Sequence, residues 1–148
     1  MSITGNSNPV VDALYRISKL AGDVEDSGEA LGAILDEIVD VFNAATASIS
    51  LVNYRTRRLE IEASRGLPEH CLDLQLHLGE GVTGWVALHG EPLLVEDVTK
   101  EPRYFPANPS IRSELAAPME EAGQVIGVVS VDSVKPGCFT EDDQKLLI

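Results

Sequence analysis

Few side chains in this sequence could make or break bonds, and their spacing limits what they can do. Cys71 and Cys138 stand far apart and belong to no Cys-x-x-Cys or other paired redox or metal-ligand spacing. Separate thiols suit a reducing compartment, although the two together could also make one bridge. His70, His77 and His89 show no metal-ligand spacing with carboxylates. The most informative stretch offers backbone groups instead. It is Leu78-Gly-Glu-Gly-Val-Thr-Gly-Trp-Val-Ala-Leu-His-Gly-Glu-Pro-Leu-Leu-Val-Glu-Asp97, punctuated by glycines yet apolar between them. Gly79 and Gly81 suit a tight turn out of a preceding strand, and Gly84 removes a side chain where another backbone or a ligand would come close. Gly90 ends a short helix in the left-handed conformation, Pro92 prevents its continuation, and Leu93-Leu-Val95 follows as a short buried strand. Strand, glycine turn, short helix and second strand together make one wall of a pocket.

The elements that must hold this wall are written in the hydrophobic period. Val10, Val11, Leu14, Ile17, Leu20 and Ala21 predict a helix over 10–21 with one buried face. A stronger helix follows Asp26-Ser-Gly-Glu29, where Asp26 can cap and Glu29 can reach back. Its apolar set is Leu31, Ile34, Leu35, Ile38, Val39 and Phe42, wide enough to cover one side of a sheet. The period then changes to two. Ala47, Ile49 and Leu51 alternate with Ser48, Ser50 and Val52, and Leu59, Ile61 and Ala63 alternate with Glu60, Glu62 and Ser64. This predicts an antiparallel hairpin with Arg55, Arg57 and Arg58 at its solvated tip. Leu72, Leu74, Leu76 and Leu78 predict a further strand that delivers the chain to the glycine stretch. Prolines at 102, 106 and 109 exclude regular structure of any length before Arg112, and a long irregular connection of this kind is often a lid or binding loop. Two strands over 113–119 and 124–132 close the domain around the turn Glu120-Glu-Ala-Gly123, the second nearly continuous in β-branched residues and therefore central.

Composition sets the outer bounds. A chain of 148 residues, 44% hydrophobic, fits one globular domain with a core large enough to fold without staples. With 11 basic against 24 acidic side chains the formal net charge is −13, which repels phosphate backbones and anionic lipid. Neither nucleic acid nor membrane is an expected partner. No run approaches the roughly 18–20 apolar residues of a membrane span. Residues 1–9 form a polar, disordered lead-in without the blocks of a secretory signal, so a cytoplasmic location is expected. Near the other end, Thr140-Glu-Asp-Asp143 resembles a capping box before Gln144-Lys-Leu-Leu-Ile148. A helix that stops on three apolar residues one turn after its cap leads us to expect a piece of a longer protein, cut at the start of a linker helix.

Four segments in order carry a family resemblance: Leu78 to Ala87, Val95-Glu-Asp-Val-Thr-Lys-Glu-Pro-Arg-Tyr104, Arg112-Ser-Glu-Leu-Ala-Ala-Pro-Met119 and Val125-Ile-Gly-Val-Val-Ser-Val-Asp132. From about residue 12 to the end the chain resembles a GAF domain, the small sensory module related to PAS domains. The resemblance implies an α+β fold, a GAF-like (profilin/PAS-like) twisted antiparallel sheet of about six strands, as a single domain over 10–148. N- and C-terminal helices would pack on one face, and the short helix and long loop on the other, enclosing a pocket. It implies ligand contacts from Gly81, Val82, Thr83, Trp85, Asp97, Tyr104, Phe105, Arg112 and Glu114. Amides at the start of the short helix would favour anionic or carbonyl groups, and Thr83 adds a hydroxyl. Trp85 would pack on a ligand or stabilise the helix from the core. Asp97 would accept ligand donors or cap the turn at Val98-Thr99. Tyr104 and Phe105 sit in the presumed lid. Arg112 and Glu114 would clamp a ligand carboxylate or pair with each other.

The branches of the family narrow the expected function. The branch that reduces free methionine sulfoxide carries a cysteine where this chain has Thr83. With Cys71 at the start of the pocket strand and Cys138 near the C-terminal helix, no nucleophile and resolving pair converges, and no catalysis is expected. Tetrapyrrole-binding members carry Asp-Ile-Pro where this chain reads Val95-Glu-Asp-Val98, haem-binding members need an axial histidine that the lid lacks, and Lys100 and Phe105 only echo the cyclic-nucleotide signature. No cofactor or metal is expected. The expected function is a non-catalytic sensory domain of a bacterial-type signalling protein. It would bind an unidentified small molecule between sheet and lid and pass the signal to an output module, whether transcription activator, sensor kinase or cyclic-dinucleotide enzyme. A homodimer through the N- and C-terminal helices would transmit it. The competing expectation is a ligand-free GAF module that only dimerises. A cavity on the order of several hundred Å³ favours the first, and Trp85 and Tyr104 filling the pocket favour the second.

Overall fold

The structure is a computed structural model and describes residues 25–104 and 108–147. The helix expected over 10–21 and the polar lead-in lie outside the described residues. Helix α1 (Glu25–Phe42) begins one residue before the anticipated cap at Asp26 and is closed by Asn43 in the left-handed region, φ 51°. Strands β1 (Thr46–Asn53) and β2 (Arg58–Arg65) follow as a hairpin. Its tip is an Asx turn in which the Asn53 side-chain oxygen accepts the amides of Arg55 at 3.0 Å and Thr56 at 3.3 Å. A single 3-10 turn (Glu69–Cys71) leads to α2 (Gly81–His89) and the short β3 (Leu93–Val95). After another 3-10 turn (Val98–Lys100) and the loop, β4 (Ser113–Glu121), β5 (Gln124–Ser133) and α3 (Glu141–Leu147) complete the domain.

All neighbouring strands are antiparallel, in the order β2-β1-β5-β4-β3. The α+β class is as expected, and the described residues form five strands where about six were anticipated. The run from Leu74 to Leu78 keeps its alternation, while Leu72 is exposed in the preceding turn, and among the described residues the run pairs with β2 through the single bridge of His77 to Arg58. Its amide and carbonyl groups reach the sheet at Leu78 N to Arg57 O, 3.0 Å, and Leu59 N to Leu76 O, 2.9 Å. Between β4 and β5 the two-residue turn Ala122-Gly123 has positive φ at both positions, 51° and 81°, the hand that matches the twist of a hairpin.

The period of α1 dictates what covers the sheet. Leu31, Leu35, Ile38 and Phe42 are buried against Ala47, Ile49, Leu115, Ala117, Met119, Val129 and Val131, and Phe139 and Leu147 join them from the C-terminal segment. Burial of each large side chain here stabilises by roughly 1.5–3 kcal/mol. The reciprocal cap of α3 forms as its sequence predicts, with Thr140 N donating to Asp143 Oδ2 at 2.9 Å and Asp143 N to Thr140 Oγ1 at 3.2 Å. On the opposite face, Val82, Val86 and Ala87 of α2 meet Leu59, Ala116, Val125 and Val128 in a second, smaller core. Among the described residues no helix is long and apolar enough to cross a membrane.

Two glycines settle how α2 is held. Gly90 closes it in the left-handed conformation, φ 68°, its amide donating to Val86 O. Gly84 is needed for close approach to backbone: a Cβ there would lie 2.6 Å from His77 O and 3.3 Å from Gly79 N. Alanine favours a helix interior by about 1 kcal/mol over glycine, yet at Gly84 the clash dominates. Gly84→Ala is expected to destabilise the fold by about 1–3 kcal/mol in denaturant unfolding. A stabilised variant would mean that the turn at 77–79 yields freely.

Candidate functional site

Alternation along the strands gives the sheet two unlike faces. Ala47 and Ile49 of β1, Leu115 and Ala117 of β4 and Val129 and Val131 of β5 enter the apolar core under α1. Their neighbours on the other face are Ser48, Ser50, Glu114, Ser130 and Asp132, and these floor a cavity of about 110 Å³. Leu59, Ile61, Leu74, Leu76, Val82 and Ile111 supply its apolar walls, and Cys71, Thr83, Tyr104 and Asn108 its remaining polar groups. The cavity is smaller than the several hundred Å³ anticipated. Trp85 does not fill it.

Strand register arranges the polar floor. Thr46, Asp132 and Glu114 lie abreast across β1, β5 and β4, and Ser48, Ser130 and Ala116 form the adjacent row. Ser130 Oγ donates to Glu114 Oε2 at 2.7 Å, and Thr46 Oγ1 donates to Asp132 Oδ2 at 2.8 Å. Glu114 is only 6% exposed, whereas Asp132 keeps partial exposure where it borders the cavity. Burial, followed by the neighbouring Asp132 charge, raises the Glu114 pKa well above the usual carboxylate range, opposed by the Ser130 hydrogen bond. Burial raises that of Asp132 to about 7 against the pull of Thr46. The Tyr104 phenol is held protonated by burial and then by the charges of Glu114, Asp132 and Cys71, which brings these four groups into one electrostatic neighbourhood. Burial likewise raises the Cys71 pKa, favouring the thiol over the thiolate.

Of the residues anticipated for the site, Val82, Thr83, Tyr104 and Glu114 line this cavity. Gly81, Trp85, Asp97 and Arg112 do not, and Phe105 lies outside the described residues. Gly81 opens α2 with φ 70°. Trp85 stacks on His89 with ring centroids 4.3 Å apart, and the Arg103 guanidinium lies 4.9 Å from its ring centre. Arg103 also forms a two-pronged pair with Glu101, at 2.6 and 2.9 Å. Trp85 therefore ties the loop to α2 at the margin of the second core. Asp97 takes the capping role: its Oδ1 accepts the Thr99 amide at 3.0 Å and hydroxyl at 2.6 Å, and these bonds lower its pKa. Arg112 approaches Asp97 at 3.8 Å, so the anticipated pairing of Arg112 with Glu114 gives way to Arg112 with Asp97 and Glu114 with Ser130.

Sequence reasoning missed Ser48, Ser50, Ser130 and Asp132, and it weighed Cys71 at the pocket strand without assigning it to the site. Their signal was present, since Ser130 and Asp132 interrupt an otherwise β-branched strand at i and i+2 and must share a face. The missing fact was which face is covered by dry core.

Residues 24–148 match the family model described as GAF domain. The chain is 36% identical over 73 residues to GAF domain-containing protein A of Dictyostelium discoideum, covering 49% of this chain and 46% of that protein. It is 25% identical over 136 residues to the Nif-specific regulatory protein of Azospirillum lipoferum, covering 86% of this chain but 22% of the relative. In both cases it spans less than half of the relative's length. The crystal structure of free methionine-R-sulfoxide reductase from Neisseria meningitidis in complex with its substrate superposes with a TM-score of 0.72 at 25% identity, covering 93% of this chain and 81% of that one. This last similarity corrects the expectation that the chain is no enzyme. That expectation rested on the lack of a converging nucleophile and resolving cysteine pair; the fold places Cys71, without Cys138, along the same cavity as Glu114 and Asp132.

The raised carboxylates predict an unusual pH dependence. From about pH 4, where the unfolded acids ionise, to about 7 for Asp132, the folded state holds protons that the unfolded chain has lost. Stability is then highest on the acidic side and falls as pH rises, by up to about 1.4 kcal/mol per pH unit for each such group. Asp97 and Glu101, with lowered pKa values, act in the opposite sense and only at or below the ordinary carboxylate range. Urea unfolding between pH 5 and 8 is expected to show this decline, and Asp132→Asn to flatten it. A wild-type slope in the variant would place the titration elsewhere.

Proposed function

The chain belongs to the GAF domain family, and on that premise we propose that it is a regulatory module whose cavity binds a small zwitterion of the free amino acid class. The observation that carries this reading is the polarity of the cavity. Glu114 and Asp132 lie at one side, with no basic side chain among the lining residues, and would attract an ammonium group. Val82 and Thr83, in the first turn of α2, border it on another, where the partial positive charge of a helix N-terminus favours a carboxylate. Leu59, Ile61 and Leu76 offer apolar surface for a side chain between them. A cavity of about 110 Å³ suits a molecule of this size better than a nucleotide. The similarity to a regulatory protein supports the sensory role, in which occupancy would bias how α1 and α3, packed on the far face, act on an output module.

A second reading is favoured by Cys71, which shares the cavity with two carboxyl groups whose proton affinity burial raises. The substrate would be methionine sulfoxide, as in the reductase whose fold the chain shares. The thiol attacks the sulfoxide sulfur while a carboxyl group assists proton transfer to its oxygen, giving sulfide and cysteine sulfenic acid. A small external thiol then converts the sulfenic acid to a mixed disulfide and water, and a second thiol releases Cys71.

One panel addresses both readings. Calorimetric titration with free amino acids, methionine sulfoxide and their N-acetyl and amide derivatives is expected to show binding that needs both termini. Glu114→Gln and Asp132→Asn should each weaken it about tenfold or more. Equal affinity for the N-acetyl derivatives would remove the ammonium-recognition reading. In the same samples, consumption of methionine sulfoxide with dithiothreitol, abolished by Cys71→Ser with binding retained, is the outcome expected of a reductase.

A further inference from the structure

Resting on the reading of the cavity as the seat of a cationic group, we infer that ligand uptake is coupled to proton release. Glu114 and Asp132 share one proton across the β4–β5 pair while the cavity is empty, and they lose it when an ammonium enters. Geometry carries the argument. The two residues are direct partners in the antiparallel register, which sets their Cβ atoms roughly 4.5–5.5 Å apart. Each carboxylate receives one fixed donor, Ser130 on Oε2 and Thr46 on Oδ2, leaving Oε1 of Glu114 and Oδ1 of Asp132 outside those bonds.

Among the described residues that line the cavity, none brings a countercharge. From β1 the pair faces the hydroxyls of Thr46, Ser48 and Ser50. Thr83 comes from α2, Tyr104 and Asn108 from the loop, and Cys71 from the 3-10 turn. Tyr104 and Cys71, their pKa values raised by burial, stay neutral and add no charge of either sign. The nearby basic side chains do not line the cavity: Arg112 approaches Asp97 at 3.8 Å, its buried Nε making no hydrogen bond, and His70 lies beside Cys71 in the chain. Two full negative charges so close, walled by Leu59, Ile61 and Leu76, repel each other with little water to screen them. One retained proton relieves this, and the raised proton affinity of both acids agrees with it. An ammonium brings a full positive charge to the same place, so the proton becomes dispensable. The module then reads metabolite and pH together. Affinity should fall about tenfold for each pH unit below the upper titration of the pair.

Calorimetric titration with methionine sulfoxide at about pH 6.5, in phosphate and in imidazole buffers of different ionisation heats, measures the coupling. About one proton released per ligand is expected, and essentially none with Glu114→Gln. Measurable binding with equal heats in both buffers, and the same affinity from pH 5.5 to 8, would overturn it. Failure to bind at any pH would instead reject the reading of the cavity. In that case proton sharing is judged on the unliganded protein by carboxyl carbon-13 NMR. Two coupled steps with the upper one above about pH 6, reduced to one step in Asp132→Asn, support it, and ionisation of both acids below about pH 5 overturns it.

Discussion

The register of β4 against β5 is the constraint from which the rest follows. Leu115 faces Val131 and Ala117 faces Val129 under α1, so the intervening residues must emerge on the opposite face, where Glu114 meets Asp132. Two like charges directly opposed are locally unfavourable. A slip of one strand by one residue would separate them but would turn that strand's apolar side chains from the main core toward the other face. Burial of Leu35, Ile38, Ile49, Leu115 and Val129 outweighs that gain, and the tight turn at Ala122-Gly123 holds the pairing. The dry core thus imposes the acid pair.

A cavity arises because the second face changes character along its length. Near the β4–β5 turn, Val125, Val128 and Ala116 meet Val82, Val86 and Ala87 and close the space. Toward Glu114 and Asp132 strands β1, β4 and β5 offer small hydroxyls and carboxylates, which α2 cannot cover with apolar side chains without leaving them unpaired. The space stays open and is walled by the segment at 67–76 and by Tyr104. Stacking of Arg103 on Trp85 and its pairing with Glu101 fix the start of the loop to α2 from outside. Polarity therefore sits where a guest can use it, as is common where function overrides packing.

Much of this was legible from residues alone. The apolar set of α1, the hairpin with Arg55 and Arg57 at its exposed tip, though Arg58 opens β2, the glycine closure at Gly90, the capping box at Thr140 and Asp143 and the family resemblance each follow from local rules that act over a few residues. Less legible was the partition of side chains between two faces of a buried sheet. Ser48 and Ser50 alternate just as solvent-facing residues would, so their inward direction depends on what covers them. Cys71 appeared isolated because its distance from Glu114 and Asp132 in the chain conceals their common wall.

The sequence by itself determined the class of fold, the order and kind of most of the described elements and the position of the glycine turns, because periodicity, capping and backbone freedom are properties of neighbouring residues. Tertiary structure alone decided that Asp132 joins Glu114, that Trp85 anchors the loop instead of lining the cavity, and that Arg112 turns to Asp97. Those outcomes depend on strand register and on which face each helix covers. Both are fixed by the collective burial of the core, and no short stretch of chain carries that information.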